Sequence, residues 1–489
     1  MEPRAGLILA NRAYCDHELP PGEESEPPDG KGGLLAAVRP AIVPWDGTEG
    51  TLWIGAGRGP CDRSHTDERG FELIDTPRGQ LWHRRLYFDD ETWLGHYAQA
   101  ANAFLWPLLH LVREPLPDLC VYYPAPEAPP PPGGAQHVEV NRAFASAALE
   151  AVEARNCWVH DYQLGLVPAM LREAGYTAPI GFFLHTPFPD LRVASRYLSE
   201  EGRGCFREFV AGILGADLVG VQSEADAERL RRAAVELGLA SVNGANLRVG
   251  GRAVCVGAYP VGIDPDDVLE AADAAEPARV TEARARGLPV VLGLERADFT
   301  KGIPERLAAV EAVFRAGARF AYLGVASPTR EGVPGYETLG PVIAAAAERC
   351  ESAARGAGGS FRYAEEEIPW PEVVALQREA DVVFTSSLAD GLNLVPLQAA
   401  VAQSRRARNQ RGVIISGRDA GVSQAFAGFE EDGLVPVDPL NKDAMVAALG
   451  AALRGEPGRI SDRLIAAVST NDARRWATSF LTDLEAASC

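Results

Sequence analysis

The segment Val290–Arg306, VVLGLERADFTKGIPER, carries the clearest structural signal in the chain. Its apolar first half predicts a buried strand, which runs into two cations, Arg296 and Lys301, and then into a helix opened by Pro304. Backbone N–H groups, the helix dipole and fixed positive charge converge at such a junction, so it can hold an anion with phosphoryl groups. The alternative is an ordinary solvated loop that carries an Arg and a Lys.

A second segment favours the anion site over the solvated loop. The apolar run DVVFTSS, 381–387, leads into Asp390-Gly391-Leu392-Asn393-Leu394. A carboxylate, a glycine and successive backbone amides therefore follow the end of a predicted strand. Ligands bind at the carboxyl ends of the strands in open parallel sheets. We therefore expect both segments at one edge of a single sheet.

Composition describes a globular chain with a negative surface. The 489 residues are 47% hydrophobic and 23% charged, which suggests two or three well-cored domains. The formal net charge of -20 argues against a nucleic-acid partner and against an anionic membrane, because both need a basic surface. Any phosphate site must therefore be a local positive spot on a negative molecule.

The eight cysteines show neither C-x-x-C nor Cys/His ligand spacing. They predict reduced thiols of a cytoplasmic protein, without a zinc site or a disulfide framework. The N-terminal run MEPRAGLILANR has too short an apolar stretch for a secretion signal or a membrane span, and we expect it to form a first buried strand.

Short apolar runs alternate with stretches of helical spacing, which predicts an α/β fold class with parallel sheets in two Rossmann-like domains. Because the alternation starts again after Gly262-Ile263-Asp264-Pro265, we place the domain boundary there. Predicted strands include GLILANR, TLWIGAG, NCWVHD, IGFFLHT, DLVGVQS, AVCVGAYPVG, PVVLGLE, FAYLGVA, ADVVFTSS, GVIISG and GLVPVD, and predicted helices include 138–153, 166–174, 225–237, 303–316 and 371–380.

A proline-rich segment, YYPAPEAPPPPGG at 122–134, can continue neither a helix nor a central strand. We interpret it as an exposed connector with polyproline-like geometry, and the alternative is a ligand for an SH3-type domain.

Two polar residues follow strands in the first half of the chain. Asp161 comes after CWVH and His185 comes after IGFFL, so they end neighbouring strands if sequential strands are adjacent. A lone Asp or His at a strand end can also be a structural cap. Together with a phosphate-binding edge in the second half, they predict a ligand cleft between two facing domains.

Ordered motifs then identify a family. The chain resembles the trehalose-6-phosphate synthase family of glycosyltransferases from end to end, through ANR, GGLL, HYAQAANAFLWPLLH, VNRAFA, WVHDYQL, IGFFLHTPFP, GADLVGVQS, YPVGIDP, ERADFTKGIPER, SPTREGVPGY, ADGLNLV and WATSFLTDL.

The resemblance implies the GT-B architecture, with two Rossmann-like domains facing across a cleft. A first domain over 1–263 would bind the acceptor, and a second domain over 264–465 would bind a nucleotide sugar. A C-terminal helix over 466–489 would return to the first domain. The implied partners are a UDP- or GDP-glucose type of donor and a phosphorylated small-molecule acceptor, with no cofactor and no metal. A homo-oligomer is compatible with this assignment.

For the phosphate of the acceptor, the resemblance implies four ligands, Arg12, Tyr97, Trp106 and Arg330. Guanidinium, phenol and indole groups suit a phosphate dianion because each donates hydrogen bonds. The implied donor site consists of Gly32, Gly33, His185, Arg296, Lys301, Asp390, Gly391, Leu392, Asn393, Leu394 and Gln398.

The catalytic residues that the resemblance implies are Asp161, His185, Arg296, Lys301 and Asp390. Asp161 would orient acceptor hydroxyls, and His185 would hydrogen-bond the transferred ring near its primary hydroxyl. Arg296 and Lys301 would neutralise the departing pyrophosphate, where negative charge develops. The family uses no carboxylate nucleophile. Its front-face reaction retains configuration, and the leaving phosphate takes the acceptor proton.

The chain departs from the family pattern at two places. A Glu that takes two ribose hydroxyls of the nucleotide is replaced by Gln398, and the first-strand S-N-R is Ala10-Asn11-Arg12. A neutral amide can accept one hydrogen bond and donate another, but charge-assisted bonds worth on the order of 1 kcal/mol each are lost.

Three hypotheses therefore stand. The first is trehalose-6-phosphate synthesis from a nucleoside diphosphate glucose and glucose 6-phosphate. The second is a related enzyme of secondary metabolism, such as antibiotic biosynthesis, with a phosphorylated cyclitol or nucleoside as acceptor. The third is a non-catalytic sugar-phosphate sensor. The residues that argue against it are the intact Asp161, His185, Arg296, Lys301 and Asp390.

Overall fold

The computed structural model describes residues 4–22, 33–39, 42–44, 49–76, 79–115, 133–151, 153–244, 246–330, 332–333, 335–456 and 458–487. These residues form two compact units. Unit 1 contains the described residues within 1–115, 123–259 and 476–489, and unit 2 contains those within 260–475. The proline-rich connector lies outside the described residues, apart from Gly133 and Gly134.

The strands are β1 (Arg4–Arg12), β2 (Glu49–Ala56), β3 (Phe71–Thr76), β4 (Gly79–Leu86), β5 (Glu153–His160), β6 (Ile180–Phe183), β7 (Leu218–Val221), β8 (Ser241–Asn243), β9 (Asn246–Val249), β10 (Arg252–Ala258), β11 (Val290–Arg296), β12 (Ala321–Ser327), β13 (Ser360–Glu365), β14 (Val382–Phe384), β15 (Val413–Gly417) and β16 (Leu434–Val437).

The helices are α1 (Gly33–Val38), α2 (Asp90–Trp93), α3 (Trp106–Leu109), α4 (Gly134–Leu149), α5 (Val167–Glu173), α6 (Leu191–Ala194), α7 (Glu200–Ile213), α8 (Glu224–Glu236), α9 (Pro265–Ala274), α10 (Thr281–Ala285), α11 (Ile303–Arg315), α12 (Leu339–Ala357), α13 (Trp370–Glu379), α14 (Val395–Ala402), α15 (Gly421–Ala425), α16 (Lys442–Arg454), α17 (Asp462–Thr470) and α18 (Ala473–Ala487). A π-helical segment, Leu94–Leu105, joins α2 to α3.

Unit 1 contains a sheet in the order β3-β4-β2-β1-β5-β6-β7-β10-β9-β8. Neighbours from β4 to β10 are parallel, and β3, β9 and β8 add antiparallel pairs at the two ends. The central strands are buried on both faces, as the continuous apolar runs predict. The predicted strands did not include β3, β4, β8 and β9 at the two ends of this sheet, or β13 of unit 2, because these elements carry charged or polar residues.

Unit 2 contains a parallel sheet in the order β13-β12-β11-β14-β15-β16. Numbered within the unit, this is the 3-2-1-4-5-6 order of a Rossmann fold, and its direction reverses between β11 and β14. The predicted α/β class with two Rossmann-like units is therefore confirmed. Ligands bind at such a switch point, outside the carboxyl ends of the strands.

The C-terminal helix α18 packs in unit 1. Two rings of α18 pack on Trp158: Trp476 is tilted at a centroid distance of 5.0 Å, and Phe480 is stacked at 4.8 Å. Phe480 also packs on Phe183 at 5.7 Å. The return of the last helix to the first unit is confirmed. The segment 466–489 is not a single helix, however, because α17 continues to Thr470 before α18 begins.

Two other sequence expectations can be compared with the described residues. The predicted helix 138–153 ends earlier than expected, at Leu149, because β5 begins at Glu153. Six described cysteines are free thiols, namely Cys15, Cys61, Cys157, Cys205, Cys255 and Cys350. Across the described ranges, none of the helices has the length and apolar character needed to cross a membrane.

Candidate active site

The carboxyl ends of β11 and β14 meet at the switch point of the unit 2 sheet. The two strands are parallel neighbours, and the backbone N–H of Leu388 donates to the carbonyl oxygen of Thr300 at 2.7 Å. The ammonium of Lys301 forms an ion pair with the carboxylate of Asp390. The prediction that the two segments share one edge of one sheet is confirmed.

A buried ion pair supports the turn between β11 and α11. The guanidinium of Arg306, which is fully buried, donates to the carboxylate of Glu295 at 2.7 Å and to the hydroxyl of Ser386 at 3.2 Å. That hydroxyl donates to the carbonyl oxygens of Lys301 and Gly302, both at 2.9 Å. Gly302 turns the chain at a φ of 60°, a left-handed conformation that glycine adopts without strain. The core thus determines the path of the loop that carries Lys301.

Asp298 is a carboxylate buried at this cationic edge, with 0% of the residue exposed. It forms an ion pair with Arg330 and accepts hydrogen bonds from the hydroxyl of Tyr336 and the N–H of Thr300, both at 3.0 Å. Burial raises the pKa of this carboxyl, but the charges of Arg330, Arg296 and Lys301 together with the hydrogen bond from the Thr300 N–H hold the pKa below its usual range. Arg330, predicted as a ligand of the acceptor phosphate, therefore has Asp298 as its counter-ion, and its side chain is only 5% exposed.

The segment after β14 forms a compact turn ahead of α14. The Asn393 side-chain amide donates to the hydroxyl of Ser387 at 3.2 Å, and that hydroxyl donates to the carboxylate of Asp390 at 3.0 Å. A Cβ at Gly421 would overlap the carbonyl oxygen of Gly391, so the two backbones approach closely. Four predicted donor-site residues lead directly into this helix, namely Gly391, Leu392, Asn393 and Leu394.

Gln398, on α14, is paired with a second glutamine. The amide N–H of Gln377, on α13, donates to the side-chain oxygen of Gln398 at 3.2 Å. Gln377 is fully buried, and its own side-chain oxygen has no hydrogen-bond partner among the described residues. A neutral Gln–Gln pair therefore occupies the position at which the resemblance implies a carboxylate.

In unit 1, Asp161 and His185 follow the parallel neighbours β5 and β6, which confirms that they end adjacent strands. The backbone N–H of His185 donates to the carboxylate of Asp161 at 3.1 Å. Asp161 has φ 72° and ψ 167°, a combination that essentially only glycine adopts without strain. The surrounding structure therefore imposes this conformation on Asp161.

The predicted acceptor-phosphate ligands of unit 1 include Arg12, Tyr97 and Trp106. The guanidinium of Arg12 lies over the Tyr97 ring at 5.5 Å, and the Trp106 ring packs on that of Tyr162 at 5.7 Å. Tyr97 lies on the π-helical segment, which winds at roughly 4.4 residues per turn because its hydrogen bonds run from i to i+5. Positions 97 and 106 are then about two turns apart and share a face, whereas α-helical winding at about 3.6 residues per turn would oppose them. The sequence contained no signal for this winding.

Strained backbone coincides with the predicted site. Within the described ranges, the non-glycine residues with positive φ are Asp161 at 72°, Arg330 at 52° and Asn393 at 72°. All three belong to the site residues that the resemblance implies. Such conformations cost about 1–3 kcal/mol each and concentrate at functional sites.

Of the two predicted glycines of the first domain, one lies within the described residues. Gly33 is the first residue of α1. Gly32 lies outside the described residues.

Three potential metal ligands lie together away from these residues. One ligand atom each of His17, His65 and Glu72 lies within 4.8 Å of the others. The two imidazole rings stack with centroids 3.7 Å apart and planes 5° apart, so their in-plane lone pairs run parallel and do not converge on one ion. The Glu72 carboxylate accepts hydrogen bonds from His17 at 3.0 Å, from His83 at 2.7 Å and from the Arg85 guanidinium at 2.5 Å. The arrangement suits a buried hydrogen-bond network better than a metal centre.

Sequence reasoning missed several supporting residues. Three residues within Val290–Arg306 were not assigned roles, namely Glu295, Asp298 and Arg306. A local signal existed for Asp298, since its side chain caps the short turn Phe299–Lys301. The pairing of Gln377 with Gln398 has no comparable signal, because it depends on the packing of two helices.

A cationic switch point in a parallel α/β sheet is suited to phosphorylated or nucleotide ligands. Residues 29–486 match the model of glycosyltransferase family 20. The trehalose-6-phosphate synthase of Mycolicibacterium gilvum is 32% identical over 509 residues, which cover 98% of this chain and 93% of that protein. The corresponding protein of Mycobacterium sp. strain KMS is 31% identical over 513 residues, which cover 98% of this chain and 94% of that protein.

The solved structures include a similar fold. An α,α-trehalose-phosphate synthase (UDP-forming) from Burkholderia xenovorans, in complex with glucose-6-phosphate, matches with a TM-score of 0.77 and 25% identity. The match covers 98% of this chain and 100% of that chain. The chain therefore belongs to glycosyltransferase family 20 and is a glycosyltransferase. The resemblance and the enzyme class expected from the sequence are confirmed.

Proposed function

We propose that this glycosyltransferase moves a hexosyl unit from a nucleoside diphosphate sugar of the UDP- or GDP-glucose type to a phosphorylated acceptor, nearest to glucose 6-phosphate. The printed names of the relatives support this proposal, as does the glucose-6-phosphate complex of the Burkholderia enzyme. The observation that carries it is the cationic edge of unit 2, where Arg296 ends β11 and Lys301 follows it at the switch point.

The donor is assigned to unit 2. Arg296 and Lys301 would neutralise the pyrophosphate as the anomeric C–O bond breaks and negative charge develops on the leaving oxygen. The ion pair with Asp390 orients the Lys301 ammonium before the ligand binds, which lowers the cost of ordering it. Asp390 and the amides of Gly391, Leu392 and Asn393 would hold the sugar hydroxyls.

The acceptor is assigned to unit 1. Asp161 would accept hydrogen bonds from acceptor hydroxyls and so orient them, and His185, held beside it by the 3.1 Å backbone hydrogen bond, would bind the transferred ring. The acceptor phosphate is proposed for Arg12, Tyr97 and Trp106. Arg330 is a further proposed phosphate ligand, and Asp298 is its counter-ion.

A related enzyme of secondary metabolism is the second candidate, and Gln398 is the observation that favours it. A neutral amide paired with Gln377 replaces the charged group that the family uses for the ribose. The phosphorylated acceptor would then be a cyclitol or a nucleoside.

The test combines a panel of nucleotide sugars and phosphorylated acceptors, read by mass spectrometry, with two variants. We expect Arg296→Ala and Lys301→Ala to lower kcat/KM by about 10²–10³, as the loss of one donor to a developing oxyanion does. Arg315→Ala is the matched control, because Arg315 lies exposed on α11 and pairs with Glu311. If both site variants stay within about threefold of the wild type, a loss below about 1 kcal/mol, the phosphate assignment is wrong.

The acceptor must carry a phosphate in either version of the proposal. We expect a dephosphorylated acceptor to lose kcat as well as affinity, because binding energy remote from the reacting atoms is used to reach the transition state. Steady-state kinetics with the paired acceptors checks this. Equal turnover for the two would contradict the role given to Arg12, Tyr97 and Trp106.

A further inference from the structure

A hydrogen-bonded pair of histidines lies beside Asp161, with His160 buried and His185 partly exposed. His160 is the last residue of β5, and 0% of it is exposed. Its Nδ1 lies 3.1 Å from Nε2 of His185, which follows the neighbouring strand β6. A single hydrogen bond therefore joins the two imidazole rings.

The surroundings of His160 are aromatic. Its ring lies 4.5 Å from the ring of Trp158 and 6.4 Å from that of Trp476 on α18. Its second nitrogen, Nε2, is buried and has no hydrogen-bond partner among the described residues. Burial lowers the pKa of His185 to about 3 and holds the pKa of His160 well below its usual value. Both rings are therefore neutral near pH 7.

A hydrogen bond between two neutral imidazoles needs one N–H and one lone pair, and each ring carries one proton. If His185 donated from Nε2, His160 would have to carry its proton on Nε2, as a buried N–H without an acceptor. Orphaned buried N–H groups are the rarest kind of unsatisfied polar group. If His160 donates from Nδ1 instead, its buried Nε2 carries a lone pair and no proton, so no N–H is left without an acceptor. The second arrangement is the favourable one.

We propose that His160 is a positioning residue that donates from Nδ1 to Nε2 of His185 and so holds His185 in the tautomer with its proton on Nδ1. His185 then offers a ligand a hydrogen-bond donor, whereas Asp161 beside it offers an acceptor. This pair is complementary to sugar hydroxyls: His185 donates a hydrogen bond to the oxygen of one hydroxyl, and Asp161 accepts a hydrogen bond from another. The inference rests on the proposed function only for the statement that the ligand of His185 is the transferred sugar.

Nuclear magnetic resonance of the full chain, labelled with ¹⁵N in histidine, tests the tautomer directly. The chain has eight histidines, and the His185 ring is assigned by its loss in His185→Gln. We expect the wild-type His185 to carry its proton on Nδ1. A proton on Nε2 would overturn the inference, whatever the activity.

Two variants of His160 separate donation from packing. His160→Asn keeps an N–H donor near the position of Nδ1, and His160→Phe keeps an aromatic ring without a donor. We expect His185 to keep the Nδ1–H tautomer in the Asn variant and to shift toward Nε2–H in the Phe variant. An unchanged His185 tautomer in His160→Phe contradicts the positioning role.

Kinetics with the hexosyl donor completes the test. We expect kcat/KM to fall about tenfold in His160→Phe and to recover to within about threefold of the wild type in His160→Asn, the scale of one hydrogen bond. Loss in both variants with normal folding indicates a packing role and overturns the inference. If the tautomer shifts in His160→Phe while kcat/KM is unchanged, the positioning of His185 is supported and the sugar-binding role of His185 in the proposed function is wrong.

Discussion

Asp161, Arg330 and Asn393 hold backbone conformations that their side chains disfavour. Each makes a hydrogen bond or ion pair within the proposed site: Asp161 accepts from the His185 backbone, Arg330 pairs with Asp298, and Asn393 donates to Ser387, which in turn donates to Asp390. Strain of this kind persists only when neighbouring contacts over-determine it. At these three residues, contacts with the surrounding structure hold the backbone in conformations that the unfolded chain would rarely adopt.

The strain at Asp161 predicts an inverted order of stability. We expect Asp161→Gly to be more stable than Asp161→Ala by about 1 kcal/mol, because glycine adopts φ 72° and ψ 167° freely, although Gly is normally the destabilising choice. Both variants lose the side chain, so both should lose transfer activity. Denaturant unfolding of the two variants is the measurement. An Ala variant as stable as the Gly variant would show that Asp161 is unstrained.

A substitution at Gln398 is expected to strengthen the binding of the nucleoside diphosphate. If Gln398 stands where the family binds the ribose, Gln398→Glu should tighten the nucleoside diphosphate by on the order of 1 kcal/mol, about fivefold, because a carboxylate accepts stronger hydrogen bonds. The amide of Gln377 can still donate to the new carboxylate. Titration calorimetry measures the change, with Gln410→Glu as an exposed control in the same unit. Equal affinities of the wild type and Gln398→Glu would remove Gln398 from the site.

The turn between β11 and α11 shows how elements place the cations. It is held from three sides, by the Arg306–Glu295 ion pair, by the Ser386 hydroxyl and by the backbone bond from Leu388. A buried ion pair of this kind is costly to break, about 3–5 kcal/mol when one partner is removed. These contacts hold the loop in one conformation, and the loop in turn positions the ammonium of Lys301.

Gly302 is the position at which this turn is most easily disrupted. A Cβ there would overlap the carbonyl oxygen of Ser386, and the left-handed φ of 60° would add about 1–2 kcal/mol of strain. We expect Gly302→Ala to destabilise unit 2 by more than 2 kcal/mol and to weaken donor binding.

Gly317, at the other end of α11, is the matched control. It has a φ of 88°, and nothing lies within 4 Å of an added Cβ, so Gly317→Ala carries the strain without the overlap. We expect it to cost about 1–2 kcal/mol and to leave donor affinity unchanged. Urea unfolding and calorimetry on both variants provide the comparison. Equal losses of stability and of donor affinity in the two variants would show that the overlap with Ser386 does not contribute to the effect of Gly302→Ala.

Across the whole molecule, the histidines are distributed unevenly between the two units. All eight histidines lie at or before His185, so the residues of unit 2 from 260 to 475 contain none. In unit 1, burial lowers the pKa of His83 and His137 to about 4 and that of His185 to about 3. Unit 2 instead has Asp298, whose pKa lies below the usual range of a carboxyl.

Mild acid should therefore weaken unit 1 before unit 2. Between about pH 6.5 and 4, the unfolded chain binds protons at these histidines and the folded chain does not, so stability falls as the pH falls. The loss at pH 5 relative to pH 8 is about 2 kcal/mol for a histidine such as His83 or His137. The stabilisation from Asp298 persists until the pH drops below the ordinary carboxyl range.

Hydrogen exchange at pH 8 and pH 5, read by peptide and corrected for intrinsic rates, checks this prediction. We expect the protection of unit 1 to fall at pH 5 while that of unit 2 is retained. His137→Asn should reduce the pH dependence of unit 1, because it removes one of the titrating groups. Equal loss of protection in both units would contradict the assignment.

The amino-acid pattern was enough to predict the fold class and the two loops at the switch point, because the apolar run before Arg296 and the glycine after Asp390 act within a few residues. The family was predictable from motifs spread along the whole chain. The partner of each polar side chain, in contrast, was not predictable without the packed structure: Asp298 for Arg330, His160 for His185 and Gln377 for Gln398. These partners lie 32, 25 and 21 positions apart. Their contacts exist only after strands and helices have packed, because an ion pair or hydrogen bond depends on distance and burial that no local pattern specifies.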